Sequence, residues 1–383
     1  MKRYKILHVI TSLQVGGAEM LLLSLAEHLR EHGFDSEVLG LGSEDNLRPK
    51  FEAIGVPVHT LGMMPSRAPG LAAFRNLLGA ARSSRPDILQ GWMSHGNIAA
   101  LLARTFALRG VPLAWSIHQT LGRFHTQPRS TRMAIRAMAM TSRCPEAIVF
   151  VSRTSRSEHE AFGFSDRQTL HIPNGVDTRK FIPGTDARGR ARELLGIPVE
   201  ATVIGHVARF HPAKDQVTLL EALKLVLRER PDTHAVLVGR ELLPGNPAIS
   251  IYADAPQFEG RLHLLGPRAD VRELLPGFDV FCLSSAFGEA CSVAMLEAMS
   301  SGVRCVVTDV ADAAWMLDGT GGLVPVKDPE AMAKDLLRVL GMDPLKSRED
   351  AARSRQRVVE VFDLETMAKS YAQMYRRIIH REQ

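Results

Sequence analysis

VFCLSSAFGEACSVAMLEAM, residues 280–299, reads as a buried strand, a polar loop and a buried helix in twenty positions. VFCLSS is a short β-rich run, and from Ala290 onward Val293, Ala294, Met295, Leu296, Ala298 and Met299 are apolar. Glu289 stands before the helical part and Glu297 sits inside it. A carboxylate buried without a partner is costly, so both glutamates need something to hold.

The same strand–loop–helix unit recurs along the chain. KILHVI (5–10), EVLGLG (37–42), VPVHTL (56–61), DILQGW (87–92), LAWSIH (113–118), AIVFVS (147–152) and TLHIP (169–173) form a first series of strands. TVIGHV (202–207), AVLVG (235–239), LHLLG (262–266), VFCLSS (280–285), RCVVTDV (304–310) and GGLVPV (321–326) form a second. Continuous apolar strands between helices predict parallel sheets covered on both faces. Two series predict two doubly wound α/β domains. Pro, Gly and Asn cluster in IPNGVDTRKFIPG (172–184), which puts the first domain at 1–183 and the second at 184–362. A last helix, 363–383, is expected to pack back on the first domain. Ligands of such sheets bind beyond the carboxyl ends of the strands, so the motifs should lie just after strands.

A chain of 383 residues suits two domains better than one core. No apolar run is long enough to span a bilayer, and VITSL after a short basic start is too brief for a signal peptide. Cys144, Cys282, Cys291 and Cys305 are scattered, which predicts neither a disulfide framework nor a zinc site and fits a reducing cytoplasm. The net charge of +5 is uneven. Residues 1–183 hold 22 Lys/Arg against 14 Asp/Glu, whereas 184–383 hold 25 against 28. Between Arg67 and Arg156, 13 arginines face only Asp87 and Glu146. Such a block needs an anionic partner or a solvated face.

Four motifs follow strands. In TSLQVGGAE (11–19), Gly16 and Gly17 open a helix, where backbone N–H groups can bind an anion; a plain turn is the alternative. This is not G-x-G-x-x-G, so a nicotinamide-dependent oxidoreductase is disfavoured. His118 ends LAWSIH, as a cleft residue or as a hydrogen-bonded structural histidine. His95, His125 and His159 give it no metal-ligand spacing, so no metal site is expected. In GHVARFHPAKDQVTLLEAL (205–223), Arg209 and Lys214 place two cations in one loop, as suits a diphosphate. HLLGPRADVRELL (262–274) offers a turn beside Arg268 against which a flat ring could lie.

If a helix starts near Cys291, the N–H groups of Cys291, Ser292 and Val293 make a second anion site. Glu297 then lies about 9 Å further along. There it can accept hydrogen bonds from a ribose diol, while Glu289 can do the same for sugar hydroxyls. A buried ion pair is the competing reading of Glu297.

This constellation resembles the family-4 retaining glycosyltransferases of GT-B architecture. The resemblance covers nearly the whole chain and rests on G-G-A-E (16–19), His118, N-G-V-D (174–177), Arg209 with Lys214, and Glu289 with Glu297 followed by A-M-S-S-G-V (298–303). It implies two Rossmann-like domains facing a central cleft, the first holding the acceptor and the second a nucleoside-diphosphate sugar. Arg209 and Lys214 would neutralise the diphosphate, with N–H donors from Gly17 and near Ser292 and Val293. Glu297 would bind the ribose, Glu289 and His118 the donor sugar, and Arg268 would flank the base. The donor would be a UDP- or GDP-sugar, with neither metal nor cofactor required. No carboxylate matches a double-displacement nucleophile. Same-face attack through an oxocarbenium-like state is therefore expected, with the leaving diphosphate taking the acceptor's proton.

Ala290 replaces a glycine common in the family's glutamate loop, which leaves the fit around the sugar and its identity open. GWMSHGNIAALLA (91–103) resembles members that build bacterial surface polysaccharides on lipid carriers, implying a glycan or polyprenyl-linked acceptor. A GT-B epimerase, a phosphorylase or a non-catalytic sugar-nucleotide-binding partner protein are the alternatives.

QPRSTRMAIRAMAMTSR (127–143) predicts a helix beginning near Arg129. At about 100° per residue, Arg129, Arg132, Arg136 and Arg143 share a narrow stripe. Met133 and Met140 lie beside it, and Ile135 and Met138 lie opposite. This pattern suits an anionic membrane surface, so a cytoplasmic protein, peripheral on the inner face of the plasma membrane, is expected. A solvated arginine-rich helix is the alternative. No nucleic-acid recognition motif is present.

Overall fold

The computed structural model describes residues 3–63, 70–122 and 124–380. Arg67 and Arg123 of the arginine block, and the last three residues of the expected C-terminal helix, lie outside them. The chain divides into two compact units, 1–175 with 364–383, and 176–363.

The first unit is built on a seven-stranded parallel sheet. Its strands are β1 (Tyr4–Ile10), β2 (Phe34–Gly40), β3 (Val58–Thr60), β4 (Ile88–Trp92), β5 (Leu113–Ile117), β6 (Ala147–Phe150) and β7 (Thr169–His171). The order is β3-β2-β1-β4-β5-β6-β7, so the direction of strand addition reverses between β1 and β4. That switch point is where an open α/β sheet leaves a crevice. β1, β4 and β5 are apolar on both faces because helices cover both. Helix Met93–Phe106 starts directly after β4 and lies unusually close to β1. A Cβ on Gly96 would stand 2.4 Å from the Val9 carbonyl oxygen, so no larger residue fits there.

Helix Leu364–Ile379 belongs to this unit. Met367, Ala368, Tyr371, Ala372, Met374, Tyr375 and Ile378 recur at helical spacing and are all buried, packed with Leu21, Leu22, Leu25 and Leu29 of helix Gly17–Leu29. Burial of each large side chain contributes about 1.5–3 kcal/mol, which ties the chain's end to its beginning. The N-G-V-D stretch explains itself structurally. A Cβ on Gly175 would lie 2.8 Å from Leu364 Cα, so glycine lets the chain pass the start of this helix.

The second unit holds a six-stranded parallel sheet of β8 (Thr202–Val207), β9 (Thr233–Val238), β10 (Leu262–Leu264), β11 (Val280–Leu283), β12 (Arg304–Thr308) and β13 (Gly322–Val324). Its order, β10-β9-β8-β11-β12-β13, switches between β8 and β11. At the opposite end of this sheet, Asp279 accepts from Arg188 at 2.6 Å and from the fully buried Arg192 at 2.7 Å, a structural ion cluster away from the switch point. No described helix is long and apolar enough to cross a membrane.

Candidate active site

Arg209, Lys214 and Glu289 come from the two loops that follow β8 and β11, at the second unit's switch point. Ser284 Oγ donates to the Lys214 carbonyl at 2.7 Å, and Ala286 N–H donates to the Ala213 carbonyl at 2.8 Å. These bonds stitch the two loops together. β11 accordingly ends at Leu283, two residues before the expected end, and the serines serve the loop.

The Lys214 ammonium pairs with the Glu289 carboxylate, which also accepts from Ser285 Oγ at 2.7 Å. Burial pushes the Glu289 carboxyl up, but Lys214 and the Ser285 hydrogen bond outweigh it and hold the group below its ordinary range. The two residues expected to bind diphosphate and sugar separately thus hold each other here. Arg209 is exposed, and its guanidinium has no partner among the described residues. Its loop is fixed through Gln216, whose Nε2 donates to the Arg209 carbonyl at 2.9 Å and approaches His206 Nε2 at 3.2 Å. His206 Nδ1 donates to the Cys282 carbonyl at 2.9 Å, and burial lowers this ring to about 4, so it stays neutral. His206, Gln216, Ser284 and Ser285 were not anticipated from the sequence. A histidine within the apolar run TVIGHV was the available signal.

The helix after Glu289 runs from Val293 to Ser300, two residues later than expected. Ser292 is its cap, with Oγ accepting from Met295 N–H at 3.5 Å. Ser292 therefore engages the helix end with its own hydroxyl, and Val293 is the first helical residue. Glu297 lies about 6 Å along the axis from Val293 rather than 9 Å from Cys291. Its carboxylate is half-buried and makes no ion pair or hydrogen bond with described residues, which removes the ion-pair reading. Burial raises it to about 7. Gly288 has φ +78°, the left-handed conformation that favours glycine. Ala290 does not adopt positive φ, so replacement of the family's glycine there carries no backbone strain. Arg268 is forked onto Asp270, at 2.8 and 2.5 Å, so its guanidinium is already engaged by a carboxylate.

In the first unit, Gly16 caps helix Gly17–Leu29. A Cβ on Gly16 would meet Glu19 Oε2 at 2.4 Å, so the buried Glu19 carboxylate takes the space over this glycine. Space is open at Gly17, where a Cβ would meet nothing within 4 Å. A side chain is thus excluded at Gly16 and would find open space at Gly17.

His118 follows β5 directly and is half-buried. Its ring stacks on Trp92, with centroids 5.0 Å apart and planes 15° apart. Its Nε2 is 2.7 Å from Ser116 Oγ, which is 3.2 Å from the Tyr371 hydroxyl. Trp92 Nε1 donates to His8 Nδ1 at 3.1 Å, and His8 Nε2 meets Ser36 Oγ at 3.2 Å. Burial lowers His118 to about 3, so the ring is uncharged at neutral pH. The histidine is therefore both hydrogen-bonded and open on one side. Its supporting partners His8, Trp92, Ser116 and Tyr371 were not foreseen; polar residues inside apolar strands were the signal for His8 and Ser116.

The helix Arg129–Thr141 buries Ala134, Ile135 and Met138, while Met133 and Met140 are 68% and 81% exposed. Arg129, Arg136 and Arg143 are exposed, and Arg136 also lies over the Phe124 ring at 5.4 Å. Arg132 is only half-exposed, and Arg143 lies beyond the helix's last residue, so the stripe is narrower than its sequence suggests. Elsewhere in the basic block, Arg104 pairs with Glu146 and Arg156 with Glu160, each at 2.6 Å. Those arginines need no external anion.

Residues 15–180 match the family described as Glycosyltransferase Family 4, and residues 201–342 match Glycosyl transferases group 1. A phosphatidyl-myo-inositol mannosyltransferase of Mycobacterium tuberculosis is 28% identical over 379 residues, covering 94% of this chain and 93% of its own. A UDP-Gal:alpha-D-GlcNAc-diphosphoundecaprenol alpha-1,3-galactosyltransferase of Escherichia coli is 25% identical over 347 residues, 88% of each chain. The solved structure of Anabaena HepE in complex with UDP and glucose superposes with a TM-score of 0.83 at 22% identity, covering 97% of this chain and 99% of that one.

Proposed function

The chain belongs to the family-4 glycosyltransferases, and from that premise we propose that it is a retaining, metal-independent hexosyltransferase using a UDP- or GDP-sugar and a lipid-linked or polysaccharide acceptor. The epimerase, phosphorylase and non-catalytic readings find no support among the relatives named above. The observation that carries the proposal is the trio at the second unit's switch point. Arg209 offers a guanidinium with no partner among the described residues, and the Lys214–Glu289 pair offers one cation and one carboxylate side by side. A diphosphate–sugar junction presents the complementary set, anionic oxygens next to hydroxyl donors.

In the bound state Lys214 and Arg209 stabilise the charge that develops on the leaving diphosphate, and Glu289 accepts from sugar hydroxyls. Gly17 and Val293 supply N–H donors. Glu297 accepts from the ribose, and His118 contacts the donor sugar. The Ser292 hydroxyl caps its helix and Gly16 accommodates Glu19, and the backbone N–H groups of both are read as further donors. Arg268, carrying Asp270 with it, flanks the base. Arg209 and Lys214 are fixed protein cations of the kind that fills that electrostatic role. Same-face attack accounts for retention: the glycosidic bond to the diphosphate breaks, the acceptor oxygen bonds to the same face of the anomeric carbon, and its proton passes to the departing phosphate oxygen.

The acceptors named for the mycobacterial and E. coli relatives are a phosphatidylinositol and a diphosphoundecaprenol glycan. Both are lipids at a bilayer surface, and the exposed Arg129, Arg136 and Arg143 with Met133 and Met140 supply a membrane-facing patch on the first unit. The test is incubation with labelled UDP- and GDP-hexoses and a synthetic polyprenyl-diphosphate sugar, with and without EDTA. Transfer that survives EDTA and gives a product with the donor's anomeric configuration supports the proposal. An inverted product, or activity abolished by EDTA and restored by a divalent cation, overturns the corresponding half.

A further inference from the structure

We propose that Tyr371, on the C-terminal helix, is a positioning residue for sugar transfer, acting through Ser116 to fix His118 as the tautomer that carries its proton on Nδ1. The inference rests on the reading of His118 as a contact to the donor sugar.

Tyr371 and Ser116 are both fully buried, so water cannot satisfy either hydroxyl. A buried phenol O–H left without an acceptor is costly to the native state. The acceptor within reach among the described residues is Ser116 Oγ at 3.2 Å. A serine hydroxyl has a single proton, and its other neighbour is His118 Nε2 at 2.7 Å. The chain of donation therefore runs from Tyr371 to Ser116 to His118. Nε2 accepts, and the proton of the neutral ring sits on Nδ1. Were His118 to donate from Nε2 instead, either the Ser116 proton or the Tyr371 proton would be left buried without an acceptor among the described residues.

The surroundings hold this relay rigid. Asn97 clamps the Ser116 backbone, donating to its carbonyl at 3.1 Å and accepting from its N–H at 3.3 Å. The Trp92 ring lies nearly parallel to both His118 and Tyr371, at 15° and 13°. Trp92 thus sets the plane of the His118 ring, and the C-terminal helix reaches its Nε2 through Ser116. A neutral Nδ1–H donates to a sugar oxygen without placing positive charge beside an oxocarbenium-like centre. An imidazolium would oppose that charge.

Full-length protein with ring-15N-labelled histidine gives the test through long-range proton–nitrogen correlation, with the His118 signals identified by their loss in His118→Gln. The wild type should show a protonated Nδ1 and an unprotonated Nε2. Tyr371→Phe should introduce the Nε2–H form and lower kcat about tenfold, the rate equivalent of one lost hydrogen bond. Donor KM and nucleoside-diphosphate affinity should stay within twofold. A wild-type ring protonated on Nε2, or a tautomer unaltered by Tyr371→Phe, overturns the inference, and the wild-type spectrum decides even if the variant folds poorly. If the tautomer is as proposed but neither Tyr371→Phe nor His118→Gln slows transfer, the reading of His118 as a sugar contact has failed, and Tyr371's role with it.

Discussion

Lys214 and Glu289, 75 residues apart in sequence, form an ion pair that joins the loop after β8 to the loop after β11. Each is largely buried, so removing one partner strands the other. Lys214→Ala should lose several orders of magnitude in turnover and destabilise the second unit by about 3 kcal/mol at pH 8. The pH sign follows from Glu289. In the wild type its lowered carboxyl contributes stability above the unfolded value, lost as pH falls through the folded one. Without Lys214 the burial of Glu289 is opposed only by Ser285 and His206, so the carboxyl rises and the defect should shrink toward pH 5. Lys214→Ala with Glu289→Gln should regain stability but not activity. Thermal melts from pH 5 to 8 check this, and a pH-independent defect would count against the pairing.

Arg209 gives the contrast, because it is exposed and has no partner among the described residues. Arg209→Ala should leave the melting temperature within 1–2 °C (roughly the effect of an ordinary surface substitution) while removing most turnover. Near wild-type kcat at saturating donor would exclude it from the diphosphate site.

Glu297 should show stability and affinity moving in opposite directions. Burial raises its folded value to about 7 from an ordinary 4.5, so ionising it costs the native state progressively as pH rises between those values. The full cost is about 3 kcal/mol, reached above pH 7. Glu297→Gln should therefore be more stable than wild type at pH 8 and equal to it near pH 4.5. The same variant should bind both bare nucleoside diphosphate and sugar nucleotide more weakly, since ribose is common to both. Glu289→Gln should impair chiefly the sugar-bearing donor. Calorimetry with both ligands separates the two glutamates; equal losses in the two variants would refute the division.

His118 should contribute no ionisation to the rate profile. With burial holding it near 3, the ring is neutral from pH 5 to 9. His118→Ala should lose most transfer, retain nucleotide binding, and cost about 1–2 kcal/mol because the buried Ser116 hydroxyl loses its acceptor. A wild-type rate limb between pH 5.5 and 7.5 that vanishes in His118→Gln would contradict the neutral ring.

The strands were legible because each is a continuous apolar run, and DILQGW or AIVFVS can be little else between helices. Their ends were not. Ser284 and Ser285 read as strand in VFCLSS, yet the Ser284 hydroxyl bonds to the facing loop, 70 residues away, and the Ser285 hydroxyl to Glu289 in its own loop. Ser292 carried a local signal, as serine is a favoured N-cap, and it marks the helix start more closely than the apolar run does. The site residues could be placed after strands from order alone. Their mutual pairing could not, because Lys214–Glu289 and Ser116–Tyr371 depend on which strands and helices become neighbours.

The arginine-bearing helix of the first unit is the remaining expectation to be tested. Helix Arg129–Thr141 anchors itself through Ile135 and Met138, each 1% exposed, and turns Met133 and Met140 outward. Exposed methionines between arginines are poorly suited to water alone, since they leave apolar area unburied, but they suit the headgroup boundary of an anionic bilayer. Each cation near the headgroups contributes about 1 kcal/mol. Arg129, Arg136 and Arg143 therefore supply about 3 kcal/mol at low salt. Half-exposed Arg132 should matter less than its place in the sequence stripe implies. Binding to vesicles containing phosphatidylglycerol should be measurable at low ionic strength and fall as salt screens the charges. Changing Arg129, Arg136 and Arg143 together to glutamate should abolish it, Arg132→Glu alone should weaken it less than Arg136→Glu, and Met133→Ser with Met140→Ser should weaken it without altering its salt dependence. Wild-type protein that fails to co-sediment with such vesicles even at low salt would leave this helix a solvated arginine-rich face, with the transferase reading untouched.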